Sequence, residues 1–214
     1  MRSLVSYEKW VIRLMPVFYA VGLAGHALES TYPFMIALTP YTILATAVLG
    51  LLPFVVNGHV RLLFWAAVTY GVTLFLEILG VKTGLVFGSY VYGSTLGLEL
   101  LGVPLLIGIN WTIIILGSIT LVKRWVSSPL AVMFITAVIT VVFDYIMEPA
   151  AIALDYWSWD GGGIPVQNYI AWGVISFMCA GLYEGMKLNN PYRLPTVIVL
   201  VQGVFFLALR FIVV

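Results

Sequence analysis

An all-α integral membrane protein, a bundle of about seven transmembrane helices, is the fold this sequence predicts. Three observations predict it. Hydrophobic residues fill 62% of the 214 positions and charged residues only 9%, against roughly 25% charged in a soluble domain. With a mean hydropathy of +1.08, the chain carries more apolar surface than a water-soluble fold of this size can hide. The apolar residues fall in seven continuous stretches, each near the roughly 20 residues needed to cross a hydrocarbon core. They lack the alternation of barrel strands, so helices are the expected spans.

The first stretch, 10–28, ends in "GHALES" and lacks a small-residue cleavage site, so it reads as a span and not as a signal peptide. His26 and Glu29, three apart at its end, are placed to contact each other as a packing pair or as support for a site. The second span, 34–56, runs into the turn "NGHVR", where His59 is expected in solvent. The third, 62–80, carries Glu77 near its far end, and the fourth covers 102–122. The fifth, 129–147, contains Asp144. Pro149 follows and, lacking a backbone donor, is expected to end or kink that helix. The sixth, 164–183, holds the lone cysteine, Cys179, which reads as a small buried hydrophobe. The seventh is 195–211. All seven form one membrane domain, 1–214.

Short-loop cations set orientation. Arg2, Lys9, Arg13, Arg61, Lys123, Arg124, Lys187 and Arg193 fall on the N-terminal side, and only Lys82 and Arg210 on the other. This predicts a cytoplasmic N-terminus, an external C-terminus and a multi-pass protein of the inner cell membrane. The acids divide the opposite way: Glu8 and Glu184 lie inside, and Glu29, Glu77, Glu99, Asp144, Glu148, Asp155 and Asp160 outside. A net charge of +1 gives no electrostatic case for nucleic acid, and two histidines are too few for a usual metal cluster.

Two long loops, 81–101 and 148–163, are expected on the outer side, and both are rich in aromatic residues and glycine: "FGSYVYG" and "YWSWDGGG". Long loops in a compact protein are often functional. Each leads into a similar helix start, "GVPLLIGINW" and "GIPVQNYIAW", with a tryptophan seven positions after the proline. Each also follows a helix with acid near its outer end. Residues 62–122 and 129–184 therefore read as a duplicated hairpin.

Asp144 and Glu148, four apart, share a helix face. Ionisable groups in a membrane span default to a functional reading. A carboxyl buried without a cation favours its neutral form, a second carboxyl nearby strengthens that preference, and a neutral acid can give its proton to a weak base. Arg210 either pairs with one of these acids or snorkels to the interface. The faces of Tyr90, Tyr92, Trp157 and Trp159 can attract a cation formed by protonating an alkene, or they anchor helices at the interface. Asn110, Gln167 and Asn168 can position water, or they bond helix to helix.

The strings "GLVFGSYVYGSTLGLELLGVPLLIGINW" and "DYIMEPAAIALDYWSWDGGGIPVQNYIAW" resemble the signature regions of the integral-membrane carotenoid hydratases, of the bisanhydrobacterioruberin hydratase and gamma-carotene hydratase type. The shared elements are FG-x-Y-x-Y, LG-x-x-L-x-GVPL with NW, D-x-x-x-x-P, W-x-W, and G-[VI]-P with a following N and W, over about 77–172. The resemblance implies hydration of the terminal double bond of an acyclic or monocyclic carotenoid to a tertiary alcohol, with no cofactor. Its further partners would be membrane lipid and other membrane enzymes of carotenoid synthesis. Joined to the chemistry above, it points to Asp144 as proton donor, Glu148 as its modulator and Glu77 as a second acid. Trp111 and Trp172 join the four loop aromatics as substrate-binding residues, with His26, Glu29, Asp155 and Arg210 in support. A membrane lycopene cyclase shares the protonation step, and a proton-coupled transporter also uses membrane acids. A retinal protein is excluded, because the last span offers Arg210 and no lysine.

Overall fold

The computed structural model describes residues 2–214, with side chains from Tyr7 onward. Of the cations that predict orientation, the Arg2 side chain lies outside the described residues. Seven helices follow one another: α1 (Arg2–Ala27), α2 (Tyr32–Val56), α3 (Val60–Thr83), α4 (Leu105–Val122), α5 (Pro129–Ala153), α6 (Val166–Gly185) and α7 (Leu194–Val213). Six of them are long and apolar enough to cross a membrane, and α6 is not among the six. Gln167 and Asn168 in its first turn and Glu184 near its end dilute its apolar character.

The bundle is built around α4, whose span is 78% buried, against 11–39% for the other five apolar helices. Those five turn large apolar side chains outward, among them Phe75, Phe134, Val138 and Val204. That is the surface a hydrocarbon solvent accepts. Helices α4 and α7 approach closely at Gly117, where a Cβ would stand 2.3 Å from the Pro195 carbonyl oxygen. Trp65 of α3 is fully buried and donates its indole N–H to the Cys179 carbonyl of α6 at 2.9 Å. Cys179 itself is a buried free thiol, as its apolar surroundings predict.

Helix α5 outlasts its expected end. Pro149 removes a single donor, the helix runs on to Ala153, and the stop comes from a C-terminal cap. Asp155 takes the left-handed conformation at φ 56°. The Asp155 and Tyr156 amides donate back to the Ile152 and Ala151 carbonyls at 3.1 and 2.9 Å. That pattern satisfies the last helical carbonyls.

The two long connections are knitted together. Strand β1 (Tyr90–Tyr92) pairs antiparallel with β4 (Trp157–Trp159), matching Tyr90 to Trp159 and Tyr92 to Trp157. Between them in sequence, β2 (Glu99–Leu100) and β3 (Val103–Pro104) form a short hairpin. The ribbon caps one end of α3, α5 and α6. At the opposite end, Lys123 and Glu184 make an ion pair. His59 is half-buried there, edge-on to Phe54 and Tyr192, and not in solvent as its turn suggests.

Candidate active site

Under the β1–β4 ribbon, Glu77, Asp144 and Glu148 meet in one cavity. Each is at most 3% exposed. One turn of helix brings Asp144 and Glu148 to the same face of α5, and α3 brings Glu77 from across the bundle. Glu77 Oε2 accepts hydrogen bonds from Tyr90 and, at 2.7 Å, from Tyr92. Glu148 Oε2 accepts the indole N–H of both Trp157 and Trp159 at 3.0 Å. The paired strands thus deliver two aromatic donors to each glutamate. Asn168 of α6 donates to Asp144 Oδ2 at 2.6 Å and to Glu148 Oε1 at 3.3 Å.

These bonds leave the acids unequal. Both oxygens of Glu148 are engaged. Among the described residues, Glu77 Oε1 and Asp144 Oδ1 take no hydrogen bond. Burial, and then the neighbouring Glu77 carboxyl, push the Tyr90 and Tyr92 phenols well above their ordinary 10.0, so both stay donors. Among the described residues, no lysine or arginine lines the cavity and no His, Cys, Asp and Glu cluster suits a metal ion. Its free volume is about 20 Å³, enough for one water.

An aromatic wall closes one side. Trp111 and Trp172 stack with centroids 3.6 Å apart, and Phe87 stacks on Trp172 at 5.1 Å. The matching positions of these tryptophans have a local cause: Pro104 (φ −62°, ψ 130°) and Pro165 (φ −67°, ψ 138°) occupy the same extended cap ahead of α4 and α6. Two turns later each helix presents its indole to the other.

A second cavity, of about 160 Å³, lies between α1, α2, α4, α5 and α7. It shares Ile107 and Trp157 with the acid cavity. Phe18, Val21 and Leu38, on the lipid-facing sides of α1 and α2, form its rim. Its wall is largely apolar, with His26, Thr39, Thr42 and Tyr156 as polar positions beside a group centred on Gln202, which donates to Tyr19 at 3.1 Å and to Asn110 at 3.5 Å.

A family model described as carotenoid biosynthesis protein matches residues 38–213. The chain belongs to that family. No curated protein and no solved structure matches it. The match places this carotenoid biosynthesis protein, a multi-pass membrane chain, in the synthesis of carotenoids. It spans every acid of the cavity and both aromatic strands, whereas Tyr19 and His26 of the second cavity precede it.

Within this family member, the acid cavity gathers ten residues that sequence reasoning singled out: Glu77, Asp144 and Glu148, with Tyr90, Tyr92, Trp111, Trp157, Trp159, Asn168 and Trp172. Others stand elsewhere. Asn110 faces the second cavity, because α4 turns it away from α5. Gln167 is exposed and donates to the Leu85 carbonyl, tying α6 to the first loop. His26 does not pair with Glu29: its Nδ1 meets the Gly22 carbonyl at 2.7 Å, and Glu29 is exposed beyond the helix end. Asp155 caps α5 and accepts the Ser94 amide at 3.3 Å. Among the described residues Arg210 pairs with no acid, and its guanidinium stands 5.9 Å from the Tyr145 ring. Phe87 and Gln202 were missed. Gln202 had a signal, a lone amide inside the apolar run "VLVQGVFF".

Proposed function

We propose that this protein is a carotenoid hydratase, adding water to the terminal double bond of the acyclic end group of an acyclic or monocyclic carotenoid. The observation that carries the reading is three buried carboxyls converging, without a cation, on one cavity walled by indole rings. Like charges in a dry site disfavour three carboxylates together, so an acid there is suited to hold a proton and deliver it. Asp144 is the donor, with one oxygen held by Asn168 and the other free to face substrate. Glu148, with both oxygens engaged, is the positioning group that holds Asn168 and the two indoles.

The proton passes from Asp144 to the terminal alkene and forms a C–H bond, and the adjacent carbon becomes a tertiary cation. The indole faces of Trp157 and Trp159 stabilise it by about 1–2 kcal/mol each when dry, and the Phe87–Trp172–Trp111 stack closes the wall of the cavity. One water, held in the space beside the acids, forms the C–O bond. Its surplus proton returns to the Asp144 carboxylate, directly or relayed through Glu77. The net change is one added water, and the acid is regenerated. Equivalent acids, strands and tryptophans from the two halves also support reading 62–122 and 129–184 as a duplicated hairpin.

Expression in a host that accumulates acyclic carotenoids tests the reading by pigment mass. The expected product is heavier by one or two waters, and Asp144→Asn abolishes it while the protein accumulates normally in the membrane. A product of unchanged mass but cyclic end group would assign the protein to the cyclases. Full hydration by the variant would remove Asp144 as donor.

A further inference from the structure

At the end of the bundle opposite the ribbon, a polar pocket of about 390 Å³ lies between the end of α4 and the loop that joins α6 to α7. Three cations line it, Lys123, Arg124 and Arg193, together with Asn189, and no acid is among its lining residues. The reaction proposed at Asp144 uses none of them. Lys123 is tied to Glu184, which leaves two of its three N–H donors. Arg124 and Arg193 are exposed and, among the described residues, neither guanidinium makes an ion pair. The Glu8 carboxylate does reach Arg193, but it accepts the backbone amides of Arg193 and Leu194 at the start of α7, donors that a helix leaves without partners.

Hydrogen bonds fix the wall of this pocket. Asn190 donates to Thr120 Oγ1 of α4 at 2.9 Å and accepts the Tyr192 amide at 2.8 Å. The Tyr192 hydroxyl in turn accepts Asn57 Nδ2 from the end of α2. The loop is thereby pinned to two helices, with Arg193 in the same concavity as Lys123 and Arg124. Membrane orientation requires only that such cations lie on one side; it does not require three of them around one hollow.

The chemistry of the wall selects the ligand. Guanidinium and ammonium donors without an acid favour an anion, and guanidinium forks suit the oxygens of a phosphate. The pocket lies where α4 ends at Val122 and α7 begins at Leu194, at the depth of lipid headgroups. Trp125, next to Arg124 and 85% exposed, marks that depth, since indoles at span ends collect at the membrane interface. Anionic lipids present their phosphates at this level, and basic pockets between helices accept them.

We propose that this pocket binds a phosphate group at the membrane surface, the phosphodiester of an anionic lipid, held by Arg124, Arg193 and the remaining N–H groups of Lys123. A lipid bound there bridges α4 to the α6–α7 loop, so it stabilises the bundle. Such a site is independent of the reaction at Asp144.

The test is native mass spectrometry of the purified full-length protein, released from detergent micelles that contain phosphatidylglycerol and the zwitterionic phosphatidylcholine. A single phosphatidylglycerol should be retained, about tenfold tighter than phosphatidylcholine. Arg124→Gln and Arg193→Gln should each weaken it by about fivefold, the loss of one cation beside an anionic headgroup, and should leave phosphatidylcholine unchanged. Arg13→Gln removes an equal charge from an exposed position outside the pocket wall and should leave both lipids unchanged. Melting temperature reads the same site: phosphatidylglycerol should raise it in the parent and in Arg13→Gln, and raise it less in the two pocket variants. Inorganic phosphate separates a lipid headgroup from a free ion, and at millimolar concentration it should not displace the lipid. Both arginines are exposed; melting without added lipid confirms that each variant is folded, and either variant alone suffices. Equal weakening by Arg13→Gln, equal retention of the two lipids, or displacement by inorganic phosphate would overturn the proposal.

Discussion

At the scale of single residues, the acid cavity works by unequal satisfaction. Glu148 is the hub: two indoles and an amide converge on it, and all three partners are buried. Glu148→Leu would strand both indole donors and is expected to destabilise the protein by about 2–4 kcal/mol, since each buried donor without a partner costs roughly 1–3 kcal/mol. Glu148→Gln keeps an acceptor oxygen and should cost less. Melting curves in detergent check the order, and equal melting temperatures for the two variants would show that the indoles do not depend on this acceptor. Which carboxyl keeps a free oxygen was not legible in the sequence. The spacing of Asp144 and Glu148 puts both on one face, but Asn168 donates to both, and it is the two indoles of β4 on Glu148 that separate their roles.

Between elements, the close approaches are set by glycines. At Gly117 a Cβ would stand 2.3 Å from the Pro195 carbonyl oxygen, and at Gly93 2.2 Å from the Asp155 carbonyl oxygen. The first contact sets the α4–α7 packing; the second sets how the two loops join, with the Gly93 amide donating to the Tyr156 carbonyl at 2.9 Å. Overpacking of this kind typically costs about 1–3 kcal/mol. Gly117→Ala is expected to lower the melting temperature. Gly93→Ala is expected to reduce hydration more than stability, because it pushes the aromatic strands off the two glutamates. Product yield beside melting temperature, measured on each variant, distinguishes the effects. The aromatic loops were legible as functional candidates from their composition. Their pairing was not, because β1 and β4 lie more than sixty residues apart and three-residue strands leave no periodic pattern to read.

For the whole molecule, alternation of the seven helices puts the ribbon, the acid cavity beneath it and the C-terminus on one side, and the Lys123–Glu184 pair on the other. The cation bias predicts that the ribbon side is external. Single cysteines placed in a C179A background report this. D160C, on the exposed turn after β4, should react with a membrane-impermeant maleimide in intact cells, and K187C only after permeabilisation. The reverse pattern would invert the orientation and would have the reacting end of the substrate approach from the cytoplasm.

By itself the sequence determined the solvent, the number of helices and the side on which the acids gather. Those follow from the length of apolar runs and from charge counts, and a hydrocarbon solvent enforces both on each segment separately. It also marked Asp144, Glu148, Glu77 and the aromatic loops, because carboxyls near a span and paired rings are rare enough to stand out one at a time. Only the tertiary structure decided that Asn110 and Gln167 stand apart from the acids, that His26 ignores Glu29, and that Gln202 and His26 share a second cavity. Those outcomes depend on the rotation of one helix about its axis against another. That rotation is set by packing across the bundle, at contacts such as Gly117 against Pro195, which no single segment encodes.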